Sequence, residues 1–425
     1  MNPPGGEAPA ARLLVDELHR GGVQSRLVRT PSPAEGPRRA AALGRVPGSG
    51  ERPALLLLSH LDVVAARATG WSENPFAGTI RHGHVIGRGA LDAKGLAVVH
   101  ALALEALARR ATPLRRDVLL LSVPDEEAGG RKGLGWILRE RAELLDGVRY
   151  VLGEGGSIRD IPSQRPLWSV SVSEKSPCWL ELRTRGTPGH SAIPARDAAV
   201  PRLIAALERV RTMEWDVRVV PEVARMFRAM APIAAPRDRR AYQDLAHALD
   251  HDPEFRRRFL RHRSNEALVT TTVSLTLLEG SPTTNVVPAE ARGQIDARLL
   301  PGASCDEFEQ RVRKRIADPA VEIVRLLGFQ AGSTTIATPL FRAIEATAQA
   351  IDPGALVIAR VSAGSSDAHW LRERGFVVYG FVPRWLRDDD TRGIHGPDEK
   401  ISIRNLERGA DTLVRLIETF DELDR

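Results

Sequence analysis

The run Leu55-Leu56-Leu57-Leu58-Ser59-His60-Leu61-Asp62 has the pattern of a buried strand that ends in chemistry. An apolar run of this length, bounded by polar residues, suits a strand covered on both faces. His60 and Asp62 then emerge together at its C-terminal end, which is where open α/β sheets place their ligands. Two positions apart on a strand means the same face, so Asp62 is expected beside or behind His60, accepting its second ring N–H. A carboxylate so placed fixes the tautomer of a metal-bound imidazole.

Similar endings recur along the chain. Gly87-Arg88-Gly89-Ala90-Leu91-Asp92-Ala93-Lys94-Gly95 is a glycine-rich turn that presents Asp92 at the start of a helix. The strand predicted over 118–123 runs into Pro124-Asp125-Glu126-Glu127-Ala128-Gly129-Gly130, and that over 150–152 into Gly153-Glu154-Gly155-Gly156. Gly393-Ile394-His395-Gly396-Pro397-Asp398-Glu399 adds a histidine in a loop before the last helix. Two imidazoles and several carboxylates at these ends are the ligand set of a paired zinc site bridged by one carboxylate and a water.

Carried by SHLDVV, GRGALDAKG, PDEEAGG, GEGG, TPGHSA, NVVP and GIHGPDEK in that order, the chain resembles the dinuclear zinc hydrolases that include aminoacylase, carboxypeptidase G, acetylornithine deacetylase and succinyl-diaminopimelate desuccinylase. The resemblance spans nearly the whole chain, and residues 260–300 are most similar to the N-fatty-acyl amino acid hydrolase branch. It implies two Zn²⁺, with Co²⁺ or Mn²⁺ as substitutes: Asp92 bridges, His60 and Glu154 complete one site, and Glu127 and His395 the other. It also implies Glu126 as general base, and His190 of TPGHSA as an oxyanion donor that often reaches across a dimer. Asn285 and Arg298 match positions that hold the substrate carboxylate or the reacting carbonyl. Arginine suits a carboxylate because its fork binds bidentately; a surface salt bridge is the alternative role for Arg298. Gly364 and Ser365 are expected to offer backbone N–H groups to the same carboxylate.

Composition bounds the rest. A hydrophobic fraction of 43% and a charged fraction of 27% belong to a soluble globular chain. No apolar run approaches the ~20 residues needed to span a bilayer, and the N-terminus lacks the segments of a signal peptide, so the default location is cytoplasmic. The net charge of +6 and pI near 9.8 raise nucleic acid as a partner, but the arginines are scattered among acids and none is expected. Cys178 and Cys305 supply no disulfide framework and are expected to be packing residues.

Strand and helix alternate up to about residue 154 and again from 329, the signature of a largely parallel sheet with helices on both faces. His100, on the helix expected over 94–110, belongs to the core. Between the two blocks the order is strand (168–185), helix (198–211), strands (268–278 and 290–299), helix (304–316) and strand (321–326). That is a split β-α-β-β-α-β unit, a ferredoxin-like lid or dimerisation domain inserted at 177–328 into a catalytic domain of 1–176 and 329–425. Residues 215–265 within it are expected to add two or three short helices, as packing, a substrate wall or part of an interface. The expected activity is hydrolysis of N-acyl amino acids or short peptides next to a free carboxylate by a homodimer. The rivals are a deacetylase or desuccinylase of a cationic amino acid and, more remotely, a silent binding module.

Overall fold

The structure is a computed structural model that describes residues 5–159, 165–386 and 393–423. It divides into two compact units: residues 1–172, 333–360 and 366–425 form one, and residues 173–332 with 361–365 the other.

The first unit is built on a ten-stranded sheet. Its middle four strands, Val118–Val123, Ala54–His60, Val148–Gly153 and Val377–Gly380, lie side by side and parallel. Antiparallel partners Ala40–Val46 and Gln24–Arg29 extend one side. Alternation along Ala54–His60 explains the layering. Leu55 and Leu57 face a core shared with helices Lys94–Ala108, Pro339–Ile351 and Ile403–Leu423, while Leu56 and Leu58 face helix Leu134–Glu140 and the short helix Ala368–Arg372. With both faces covered, each such leucine contributes ~1.5–3 kcal/mol on burial. The long last helix carries its apolar stripe at Leu413, Leu416, Ile417 and Phe420 into the first of these cores. No helix among the described residues is long and apolar enough to cross a membrane.

The second unit holds a four-stranded antiparallel sheet in the order Thr272–Glu279, Glu290–Leu299, Ser176–Arg185, Val321–Gly328. Helices Ala199–Arg211 and Cys305–Ile316 share one core with it through Leu203, Leu207, Phe308 and Val312. The elaboration expected as two or three helices contains five α-helices among the described residues: Pro221–Met230, Arg239–Gln243, Leu245–His251, Pro253–Arg261 and Arg263–Val269. The extra breaks have a local cause. Asp244 accepts from the His247 N–H and Asp252 from the Glu254 and Phe255 N–H groups, so each caps a new helix where the periodicity alone runs on. Phe227, Phe255 and Phe259 close the small core beneath them.

Two expectations are corrected here. Cys178 and Cys305 are not separate packing residues but a disulfide, joining strand Ser176–Arg185 to the first residue of helix Cys305–Ile316 with the Cα atoms 5.4 Å apart. A separation of 127 residues hides this pairing from sequence spacing. Disulfides are rare in reducing cytosol, so the bond weighs against the cytoplasmic default. The single strand expected over 168–185 is also two, Leu167–Glu174 and Ser176–Arg185, separated at Lys175, and the chain passes from one unit to the other at Val172 and Ser173.

Candidate active site

The ends of the parallel strands converge as the sequence pattern implies. His60 closes strand Ala54–His60, Glu126 and Glu127 form the turn after Val118–Val123, and Glu154 follows Val148–Gly153. Asp92 stands ahead of helix Lys94–Ala108, and His395 lies in the loop before the last strand and helix. His60 Nε2 lies 3.1 Å from Asp92 Oδ1 and 3.2 Å from Glu154 Oε2. His395 Nε2 lies 3.2 Å from the other Asp92 oxygen and 3.3 Å from Glu127 Oε1. Asp92 thus presents one oxygen to each imidazole. Glu126 Oε2 is 4.0 Å from His60 Nε2, on the wall of a cleft it shares with Glu154, Ser366 and Asp367.

Asp62 differs in detail from expectation. His60 Nδ1 is closest to the Asp62 backbone carbonyl, at 3.1 Å, with the Asp62 carboxylate at 3.6 Å. That carboxylate accepts the backbone N–H groups of Glu126 and Glu127, at 3.1 and 3.0 Å. It therefore holds the acidic turn as well as the histidine, which no spacing argument anticipates.

A further set of buried charges fixes the loops, and sequence reasoning missed it. Asp125, in the left-handed region with φ 75, pairs with the buried Arg39 and accepts the Lys132 N–H. Glu399 pairs with the buried Arg88. Asp367 is buried with neither oxygen hydrogen-bonded among the described residues. Gly130, with φ +68, has no room for a side chain, since a Cβ there would lie 2.0 Å from Asp367 Oδ1. For Asp125 and Glu399 the signal was available, since each sits inside a quoted motif, but a charge in a loop is ordinarily a solvated one.

Electrostatics mark a cluster built for cations. Burial pushes the Glu126 carboxyl well above the usual range, Glu154 adds to this, and the His60 charge opposes it. Burial likewise raises Glu154, and burial with Asp62 raises Asp367 well above its ordinary value. Burial disfavours charge on His60, but Glu154, Asp62 and Asp92 outweigh it and hold the imidazole well above its usual value. Burial also opposes charge on Asp92, yet His395 and His60 keep it below the usual carboxylate range. Hydrogen bonds to Asp92 and Glu127 raise His395 to about 10. Two sets of donor atoms, from His60, Asp92 and Glu127 and from His60, Glu126 and Glu154, each fall within 4.8 Å of one another. Imidazole nitrogens and carboxylate oxygens in this arrangement fit a pair of divalent cations. His100, by contrast, is fully buried in its helix and held neutral, burial lowering it to about 3.

The raised His395 has a consequence for pH. In the metal-free chain its charge pair contributes stability that is fully present below its ordinary 6.5 and lost as the pH rises through about 10. A cation at Nε2 must displace that proton. Affinity for added Zn²⁺ is therefore expected to rise with pH up to about 10 and level off above it, by about tenfold per unit for each proton displaced. Titration against a zinc indicator checks this, and an affinity flat in pH would remove His395 from the ligands.

The remaining sequence candidates lie in the second unit. His190 is exposed on the two-residue strand Gly189–His190, which pairs with Val286–Val287 beside Asn285. Arg298 holds Asp296 bidentately, at 2.7 and 2.9 Å, and donates to Ser365 Oγ at 3.0 Å. Gly364 and Ser365 precede a helix of only five residues, Ala368–Arg372.

Comparison with known proteins identifies the family. N-fatty-acyl-amino acid synthase/hydrolase PM20D1 of Homo sapiens is 28% identical over 383 residues, which cover 86% of this chain and 74% of that protein. Aminoacylase-1 of Sus scrofa is 25% identical over 369 residues, covering 85% of this chain and 79% of its own length. Human carnosine dipeptidase 1 shares the fold, with a TM-score of 0.73 at 18% identity over 97% of this chain and 90% of that one. Residues 56–419 match Peptidase family M20/M25/M40, and the chain belongs to this family of hydrolases.

Proposed function

We propose that the chain is a zinc-dependent amide hydrolase that cleaves N-acyl amino acids or short peptides next to a free carboxylate. The observation that carries this reading is Asp92, whose two oxygens each face a different histidine at 3.1 and 3.2 Å. His60 and Glu154 would hold one cation, Glu127 and His395 the other, with Asp92 shared. Bound there, two divalent cations supply a polarised carbonyl and a water acidified from a pKa of about 15.7 towards ~7.

The protein's own groups do the rest. Glu126, adjacent to the ligands and high in pKa, accepts the water's proton during attack and returns it to the leaving amine nitrogen. Asp62 keeps His60 and the Glu126–Glu127 turn in register. The inserted unit serves as a ferredoxin-like lid and dimerisation module, in which His190 donates to the oxyanion. Asn285, Arg298, Gly364 and Ser365 then receive the substrate carboxylate or carbonyl. Arg298 already donates to Asp296 and to Ser365 Oγ, so a substrate carboxylate there would share the guanidinium with both. The sequence likeness to an enzyme named for N-fatty-acyl amino acids supports an apolar acyl group.

Zinc content per chain, measured with hydrolysis of an N-acyl amino acid and dipeptide panel before and after chelation, tests the reading. About two zincs and chelator-sensitive amino acid release are expected, with long apolar acyl groups preferred. Preference for acetyl or succinyl derivatives of cationic amino acids would replace the substrate assignment. Absence of turnover with zinc supplied would overturn the enzyme.

A further inference from the structure

We propose that the buried Arg88–Glu399 ion pair is the positioning element that decides whether the Glu127 and His395 half of the site retains its cation. The inference rests on the two-metal reading above and goes beyond the ligands themselves.

The two halves of the site are held by different means. His60 ends a fully buried strand of the central sheet, and its Nδ1 lies 3.1 Å from the Asp62 carbonyl, so the sheet itself aims its Nε2. His395 has no such support. It sits in an irregular loop, half-exposed, with φ 58 in the left-handed region that a non-glycine residue adopts only when its surroundings over-determine it.

Arg88 and Glu399 supply that determination. Arg88 donates from Nη2 to the Gly396 carbonyl at 3.0 Å and from Nη1 to the Gly393 carbonyl at 3.5 Å, gripping the loop on both sides of His395. The same Nη1 lies 2.5 Å from Glu399 Oε2. Glu399, fully buried, also accepts the Leu91 and Asp92 N–H groups at 2.7 and 2.9 Å on Oε1, and the Gly89 N–H at 3.1 Å on Oε2. One ion pair therefore spans two segments about three hundred residues apart in sequence, the turn that presents Asp92 and the loop that presents His395. A buried pair that receives this many donors cannot lose one member without leaving a charge or several N–H groups unmatched. Outer partners of this kind typically change metal affinity 10–100-fold.

Two variants separate the device from general stability. Arg88→Lys keeps a cation beside Glu399 but loses the planar fork that reaches both loop carbonyls. Glu399→Gln keeps the shape and loses the charge. The full chain is equilibrated with buffered zinc, metal per chain is counted, and cobalt-substituted samples are followed by visible absorption, with near-ultraviolet circular dichroism as the check on folding. The wild type is expected to hold about two ions. Both variants should remain folded and hold about one, the weaker site losing affinity by roughly 10–100-fold and half of the cobalt signature disappearing. Ser72→Ala, which removes only a hydroxyl from Asp398, should hold both ions.

If either folded variant binds both ions with wild-type affinity, or loses both together, the inference is overturned while the two-metal reading stands. Should Glu399→Gln not fold, Arg88→Lys decides alone. If neither folds, the pair is a folding element and the proposal is wrong. Fewer than two ions in the wild type would overturn the two-metal reading, and this inference with it.

Discussion

Glu126→Gln is expected to keep both metal ions and to lower kcat by roughly 10²- to 10⁴-fold. Glu126 lies 4.0 Å from His60 Nε2, farther than Asp92 or Glu154, and its backbone N–H is held by Asp62 at 3.1 Å. Burial and the neighbouring Glu154 push its carboxyl well above the usual range, towards the working pH of a proton carrier. Glutamine fills the same space and leaves the turn intact, so only the proton acceptor is removed. Metal analysis and kcat measured together check the assignment. Loss of metal would make Glu126 a ligand instead, and an unchanged kcat would place the general base elsewhere.

Asp92→Asn should do more damage and of another kind. His60 and His395 each lean on one Asp92 oxygen, and the carboxylate is kept ionised by both of them. An amide has one acceptor oxygen and no charge, so both positions weaken together, each by more than the roughly 10–100-fold typical of an outer partner. Less than one ion per chain and activity below detection are expected after gel filtration in metal-free buffer. A variant that still carries two ions would show that Asp92 does not bridge.

The parts of this site that were legible in the sequence are those set by short range. A leucine run ending in Ser59-His60-Leu61-Asp62 reads as a buried strand with its polar residues at the C-terminal end, and the chain bears this out. Helix Lys94–Ala108 and the three acidic strand ends follow from the same periodicities. What was illegible depends on partners far along the chain. Nothing local to Asp125 names Arg39, and nothing local to Glu399 names Arg88. Even the Asp62 carboxylate, placed correctly beside His60, turned out to bind the turn at Glu126 and Glu127, because a strand position fixes a side chain's face and not its donors. Chain breaks were lost for a related reason. The caps at Asp244 and Asp252 interrupt an apolar repeat that continues in phase across them.

The Cys178–Cys305 bond has a consequence for how the chain is made. It closes a loop of 127 residues that contains two strands of the inserted sheet and all five helices of the elaboration. In the chain-entropy picture, closing a loop of this length removes roughly 5 kcal/mol of disorder from the unfolded ensemble. Synthesis in a reducing host therefore yields a chain whose inserted unit must fold without that restraint. Export to an oxidising compartment, or oxidation after purification, restores it.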